Sequence, residues 1–516
     1  MAKAGGDYFV QKGLKTMRSK NREDTEAGRM AGAIIDLIPE GYDVYEDHDI
    51  SEEHLAEAIT EACGRYIRHC PQIGWMVYNP GEGRWTERYA EAAVQRVIVH
   101  FGQLLWEGAA DTNPGETRFA RHALSSAGIS AVKKILMHGT RIAVEQDRFD
   151  ANPDMLNCMG DAYNLRTGER RRAEPEDMFC KSTHCKAAAL ERDTSGGAVW
   201  KMPEFPPMFG DFMRKVTSKD GKERLDLLAW IMFYFGYSLT GDNGASFFVN
   251  FHGQGKNGKS ALLNLMMELF GDYALPLPKD VVIENRFAGQ FDMAGLPGVR
   301  LGVLVDAPDG RLNMDVLKPL VAGDAMNAKR KYQKDFTFKP ACKIAVGSNP
   351  KLKLKDTGMA IRRRVRMVPF DYVVPDEEVV VNLHRRMLKE EGPQILALLI
   401  HFANRYYSEG EGPKAFPTCA TVDEASREYV DSEDLVGRWM DERTEAAEGA
   451  AESADDLYKD FVKWEEDEGV RKKMSKNVFG EHLGSRVPEK KRVDSKHYYV
   501  GIKLKFPPKP AFDGGG

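Results

Sequence analysis

A lysine and a serine that follow a glycine directly, where an apolar run gives way to an amphipathic one, have the chemistry to hold a phosphate. The stretch SFFVNFHGQGKNGKSALLNLMMELFG, Ser246 to Gly271, contains them as Gly253-Gln254-Gly255-Lys256-Asn257-Gly258-Lys259-Ser260. Glycines at these places let backbone N–H groups wrap a β-phosphate. The Lys259 ammonium reaches the β and γ oxygens, and the Ser260 hydroxyl suits Mg²⁺. SFFVNF reads as the strand before the loop and SALLNLMMELF as the helix after it. The spacing therefore predicts a site for a nucleoside triphosphate and Mg²⁺ lined by Gly253, Gly255, Asn257, Gly258, Lys259 and Ser260.

Cleaving a phosphate also needs an acid on a neighbouring strand. VRLGVLVDAPDG, Val299 to Gly310, is an apolar strand ending at Asp306, with Asp309 three residues on. CKIAVGSN ends at Asn349, a polar tip that can sense the γ-phosphate or orient water. GMAIRRRVRMVPF then supplies Arg362, Arg363, Arg364 and Arg366. Guanidinium groups stabilise γ-phosphate charge in the transition state, often from a neighbouring subunit. Between the second and third strands, NAKRKYQKDF carries Lys329, Arg330, Lys331 and Lys334 around Tyr332, charge for nucleic-acid phosphates and a ring for stacking.

These residues need elements to position them. Strands and helices alternate between about 246 and 370, the pattern of an α/β nucleotide-binding core, taken as residues 216–375. Before it, residues 1–30 read as a flexible basic arm and 31–215 as a mainly helical region, with a hairpin over LNCMGDAYNLRTGERR, Leu156 to Arg171, and a buried helix at Leu225 to Leu239. After it come a helical extension (376–445), a linker TEAAEGAAESAD, a unit at 453–506 and a flexible Pro/Gly tail (507–516). In that unit SADDLYKDFVKWEEDEG reads as a capped helix, followed by a second helix and a basic β-wing.

Composition sets bounds. At 516 residues the chain exceeds one core. No apolar run approaches the ~18 residues needed to span a bilayer, so no membrane partner and a cytoplasmic location, in a bacterial host, are expected. The net charge of −5 excludes a generally basic DNA-coating protein and confines nucleic-acid contact to local patches. Seven scattered cysteines give neither a disulfide framework nor a zinc ribbon. The metal ligands expected are Ser260 and Asp306.

Taken in order, GQGKNGKS, VLVDAPDG, LVAGDAMNAKRKYQKDFTF, IAVGSN and the arginine run before VPF resemble the motifs of superfamily 3 helicases. The likeness is to the clade of phage and plasmid primase C-terminal helicase modules and the poxvirus primase-helicase. YNLRTGERR, FGYSLTGDN and AGLPGVRL resemble segments that precede or lie within that module, and LYKDFVKWEEDEG, KNVFGEHLG and HYYVGIKLK resemble its terminal winged helix. The likeness covers about residues 150 to 505. It implies an α/β P-loop, AAA+-like superfamily 3 helicase core with an α-rich N-terminal region and a C-terminal winged-helix domain. It further implies a homo-oligomeric ring, usually a hexamer, with ATP at subunit interfaces, single-stranded or forked DNA in the pore and 3′-to-5′ translocation. A primase or polymerase would then come from another chain. By position, Lys259 and Ser260 take the Walker A roles, Asp306 the Walker B acid and Asn349 the sensor. Arg363 and Arg364 fall on the paired arginines, one of them the finger acting in trans, and Lys331 and Lys334 fall near the tip of the family's pore hairpin.

The clade usually has Glu where Asp306 stands and often an aromatic where Arg362 stands, so Asp309 shares the candidacy for positioning water. The second function class consistent with the sequence is an ATP-switched, origin-binding initiator without processive unwinding. Residues 1 to about 150 could form a collar. The acids of YEDHDISEEHLAEA read as the first turn of a helix rather than a nucleotidyl-transfer pair, so no primase activity is predicted. A primer-synthesis assay on single-stranded template is expected to give no template-directed product.

Overall fold

The computed structural model describes residues 25–39, 42, 44, 51–109, 114–193, 199–284, 293–328, 336–354, 357–470, 473–494 and 496–506. The first two helices among the described residues begin at hydroxyl caps. Thr25 accepts the Gly28 amide at 3.2 Å and Ser51 that of His54 at 3.1 Å, satisfying N–H groups that a first turn leaves unpaired. From these caps run α1 (Glu26–Ile35) and α2 (Glu52–Cys63).

Within the region 31–215 read as mainly helical, strands interrupt the helices. Three antiparallel strands follow, β1 (Ile67–Cys70), β2 (Gly74–Asn79) and β3 (Arg84–Thr86), before α3 (Ala90–Gly108), α4 (Pro114–Ala123) and α5 (Ser126–His138). The run GWMVY is buried on both faces of a strand: Trp75 and Val77 join the helical core, while Met76 and Tyr78 pack with Trp85 on the other side. Periodicity does not distinguish such a strand from a buried helical turn. The hairpin expected over Leu156 to Arg171 is present as β4 (Met155–Cys158) and β5 (Asp161–Asn164), extended by β6 (Arg170–Arg172).

Two helices lead to the central sheet, α6 (Pro207–Val216) and the expected buried helix α7 (Leu225–Leu239). The sheet alternates with helices along the chain: β7 (Phe248–His252), α8 (Lys259–Phe270), β8 (Ala274–Pro276), α9 (Lys279–Val282), β9 (Leu301–Ala307) and α10 (Met314–Ala322). A separate antiparallel pair follows, β10 (Met326–Ala328) with β11 (Phe336–Phe338), and then β12 (Lys343–Ser348), α11 (Met359–Arg362) and β13 (Val365–Pro369). The five sheet strands are all parallel, in the order β13-β7-β12-β9-β8. Strands buried under helices on both faces require the continuous apolar runs seen in the sequence.

Helix α12 (Leu383–Ser408) packs along α7, and the crossing is close enough that a Cβ on Gly236 would meet Phe402 Cβ at 2.4 Å. Helix α13 (Ala420–Glu433) covers the edge strand β13, where the Ser426 hydroxyl accepts the Met367 amide at 2.9 Å.

The C-terminal unit corrects a second expectation. Thr444–Ser453, read as a linker, is strand β14, paired with β16 (Lys496–Leu504) across a bulge between Ala446 and Ala451. The unit therefore starts with α14 (Leu435–Arg443) rather than at residue 453, and the helical extension ends at Glu433. It continues through α15 (Ala454–Asp467), α16 (Lys476–Arg486) and β15 (Lys490–Val493), with strand order β14-β16-β15. Ala, Glu and Gly have low strand propensity, and pairing with the neighbouring strand overrides it. Trp439 from α14 fills the centre of this core beside Phe461 and Phe479.

One buried carboxylate ties the unit to the sheet. Asp434 accepts the Gly437 amide at 3.0 Å, capping α14, and its two oxygens accept from Arg486 at 2.7 and 2.6 Å, with Arg362 at 3.6 Å. No helix among the described residues is long and apolar enough to cross a membrane.

Because Trp439 is fully buried, Trp439→Ala is expected to cost the C-terminal unit about 3–5 kcal/mol. Urea unfolding of the full chain should show an earlier transition for that unit; an unmoved transition would place α14 outside its core.

Candidate nucleotide site

The loop leaves the sheet at the end of β7, which lies between β13 and β12, so two neighbouring strand ends hold it. The Gly253 amide donates to Ser348 O at 3.3 Å. A side chain at Gly253 has no room, since its Cβ would lie 2.2 Å from Asn257 Nδ2 and 2.4 Å from Phe370 O. At Gly258, φ is +83° and a Cβ would come within 2.5 Å of Val216 Cγ1, so α6 buttresses the loop from below. Lys256 also adopts a left-handed φ of 46°, held by the Val374 amide on Lys256 O at 2.7 Å and by its ion pair with Asp376 at 2.6 Å. Helix α8 begins at Lys259, and a helix start leaves several N–H groups without intrahelical acceptors, the arrangement that draws a phosphate.

Lys259 is buried. Its ammonium donates to Gly253 O at 2.8 Å, Asn257 Oδ1 at 2.9 Å and Asn349 Oδ1 at 3.1 Å. Burial pushes its pKa down to about 8, and the nearby Asp306 carboxylate acts in the opposite direction. The sheet register explains this convergence: Ser348 is level with His252 on one side and with Ala307 on the other. The tips of β7, β12 and β9 therefore deliver the loop, Asn349 and Asp306 to one edge. Beneath them the buried Ser348 hydroxyl donates to Asn250 Oδ1 at 3.0 Å, bridging β7 and β12. Ser260 and Asp306 are exposed there. Their hydroxyl and carboxylate are the hard oxygen donors that Mg²⁺ takes, together with water and phosphate oxygens, so the residues fit that ion.

Other predicted residues lie elsewhere. Asp309 is exposed and pairs with Lys353 at 3.3 Å. Arg363 and Arg364 precede β13, whose Val365 is level with Phe248 and whose Pro369 is level with His252. The Phe248 amide donates to Arg364 O at 2.9 Å, which places both arginines at the start of β7. At about 3.3 Å per residue, the length of β7, roughly 13 Å, separates that end from the phosphate loop. Arg363 is exposed. Arg364 donates to Ala360 O at 2.9 Å, and burial and Arg363 lower its pKa while Asp324 raises it. Arg362 is held by Asp431 at 2.6 Å and by Asp434, acids that suit a cation where the resembling clade often has an aromatic. Arg366 lies over the Phe247 ring at 5.1 Å. Lys329, Arg330, Lys331 and Lys334 fall outside the described residues; the flanking β10 and β11 pair Asn327 with Thr337 and Ala328 with Phe336.

Sequence reasoning missed the support of the loop. Phe212 and Val216 wall it, and Glu391 of α12 holds α6 in place by accepting the Met208 and Phe209 amides, each at 2.8 Å. A polar Asn250 inside SFFVNF and a Ser348 inside the matching strand were the available signals of a polar bridge.

Comparison with known proteins gives two family matches. Residues 56–187 match the family described as D5 N terminal like, and residues 251–364 match a family of unknown function. A "putative helicase" of Acanthamoeba polyphaga mimivirus is 22% identical over 338 residues, 61% of this chain and 33% of its own length. A "putative helicase" of Frog virus 3 is 26% identical over 232 residues, 41% of this chain and 23% of its own length. The chain thus spans a third or less of these relatives. Among solved structures, apo forms of the NrS-1 C terminal region align with TM-scores of 0.42 and 0.45 at 10% identity. They cover 84% and 88% of this chain and 95% and 100% of theirs.

A phosphate entering the loop gives Lys259 the anion that it lacks and raises its pKa above about 8. Binding of ADP should then take up protons, most strongly between about pH 8 and the ordinary lysine range, and should weaken as pH rises through that window. Calorimetry in buffers of different ionisation enthalpy reads the uptake, which Lys259→Met should remove. Uptake independent of Lys259 would refute the assignment.

Proposed function

We propose that the chain belongs to the phage-type superfamily 3 helicase/primase family, a reading supported by its D5 N terminal like segment and its likeness to viral putative helicases, and that it is an ATP-dependent replicative DNA helicase of a phage, plasmid or integrated element. It works as a ring, a hexamer by family likeness, on single-stranded DNA, moving 3′-to-5′. The observation that carries this reading is the polarity of the sheet. The phosphate loop with Lys259, Asn349 and Asp306 occupies one end of β7, and Arg363 and Arg364 the other.

In this reading Lys259 exchanges Gly253 O and Asn349 for the β and γ oxygens of ATP. Asn349, released, orients the attacking water beside the γ-phosphate. Asp306 is the acid that faces the loop and takes the water-positioning role, while Asp309 remains with Lys353. Ser260 and Asp306 would hold Mg²⁺, which when bound would neutralise charge at the phosphate oxygens. Arg363 or Arg364 is too far from its own loop to serve it and completes the site of a neighbouring copy, so hydrolysis requires assembly. The basic segment 329–335 between β10 and β11 contacts the single strand through Lys329, Arg330, Lys331 and Lys334. A primase or polymerase on another chain would use the strands released.

The order helix, strand, helix, helix, strand, strand in residues 435–504 reads as a winged helix, with Lys490, Lys491 and Arg492 exposed on its wing. That basic wing favours the second reading, an ATP-switched, origin-binding initiator.

Steady-state ATPase with and without single-stranded DNA, beside strand displacement from 3′-tailed and 5′-tailed forks, separates the two. Stimulated hydrolysis with unwinding of the 3′-tailed fork alone is expected; hydrolysis indifferent to DNA without displacement would establish the initiator. Lys259→Ala should abolish turnover, and loss of the working arginine should lower kcat by about 10³-fold or more. Mixing that arginine variant with Lys259→Ala chains should recover part of the activity, because some interfaces regain an intact loop facing an intact arginine. No recovery with either arginine would refute action in trans.

A further inference from the structure

Exposed apolar side chains gather at both halves of the proposed nucleotide site. Among the described residues twelve large apolar side chains are exposed, and four of them fall within residues 373–381: Val373, Val379, Val380 and Val381, at 59%, 51%, 49% and 81%. A fifth, Met359 at 80%, opens α11 four residues before Arg363. Isolated exposed apolar residues are ordinary; clusters mark docking surfaces.

The valine cluster forms a strap fastened to the phosphate loop. The Val374 amide donates to Lys256 O at 2.7 Å, Asp376 pairs with Lys256 at 2.6 Å, and Glu378 pairs with Lys215 of α6 at 2.8 Å. Met359 stands at the opposite end of β13, with Ala360 and Arg363 exposed beside it. One continuous segment, residues 359–381, thus presents an arginine-bearing apolar knob at one end of the sheet and a valine strap at the other. The charges match as well: Asp376, Glu377 and Glu378 are exposed on the strap, against Arg363 and Arg364 at the knob. Two unlike, complementary surfaces on one chain make a head-to-tail contact, the kind that closes into a ring when its rotation permits.

We propose that the strap Val373–Val381 is the seat for a second copy of this chain, which places its Met359 against the valines and its Arg363 toward the phosphate loop. The proposal rests on the ring reading above and specifies the surfaces that meet. It also gives the contact a direct route to the nucleotide, since the strap is bonded to the backbone and side chain of Lys256 within the loop.

The test uses full chains carrying Met359→Cys or Val381→Cys, mixed with Mg²⁺ and a non-hydrolysable ATP analogue and treated with a short thiol cross-linker, with wild type as background for the native cysteines. A cross-linked pair in the mixture, absent from either variant alone, is expected. In parallel, Val380→Ser with Val381→Ser should raise the concentration at which particles assemble by about ten-fold without lowering the Tm of the monomer. Val478→Ser, an exposed valine of the C-terminal unit, should leave assembly as in wild type. Cross-linking of Val381→Cys chains to one another would show a two-fold contact and overturn the proposal. Wild-type particles that assemble while the mixed pair does not cross-link would overturn the seat alone. Wild type that stays monomeric with nucleotide and single-stranded DNA would overturn the ring reading and the seat with it.

Discussion

Lys259 is buried, yet the three acceptors that hold it, Gly253 O, Asn257 Oδ1 and Asn349 Oδ1, are neutral oxygens. A desolvated ammonium is costly without an opposite charge, and the surrounding structure is arranged to bear that cost. The glycine at 253 lets Asn257 and Phe370 O approach. The wall of Phe212 and Val216 keeps the loop from collapsing, and the Asn250–Ser348 bridge fixes the strand that carries Asn349. Asp306 offers its charge through space rather than by a hydrogen bond, which leaves the ammonium free to exchange partners.

The parallel sheet then determines what one chain can do alone. All strand C-termini lie at one edge, so every group delivered by a strand tip arrives beside the loop, and every group that precedes a strand lies at the far edge. Asn349 and Asp306 belong to the first kind, Arg363 and Arg364 to the second. The strap after β13 returns to the loop edge, which is why a segment of little more than twenty residues touches both.

Much of this was legible in the sequence where chemistry and periodicity agreed. The loop glycines, Lys259 and the polar tips at Asp306 and Asn349 each end a continuous apolar run, and runs of that kind made buried parallel strands. Legibility failed where local pattern and tertiary context diverged. GWMVY carries no period-two signal because both of its faces are buried, and TEAAEGAAESAD has the composition of a linker because its strand is made by pairing with β16. Arg362 resembled its neighbours in sequence, and only the acids of α13 and its cap, Asp431 and Asp434, distinguish it as a structural cation. The walls of the loop were illegible because α6 is remote in sequence and contributes only ordinary apolar residues.

Asp434 couples two parts of the molecule that the domain order would treat as separate. It receives Arg486 from the end of α16 and Arg362 from the turn that leads to Arg363. The orientation of the C-terminal unit and the placement of the arginines are therefore one degree of freedom and not two. A chimera that grafts a foreign C-terminal unit at residue 435 would sever Arg486 from that carboxylate and leave Arg362 to hold it alone. The modular boundary of this chain, in the mechanical sense, lies inside its parallel-sheet core.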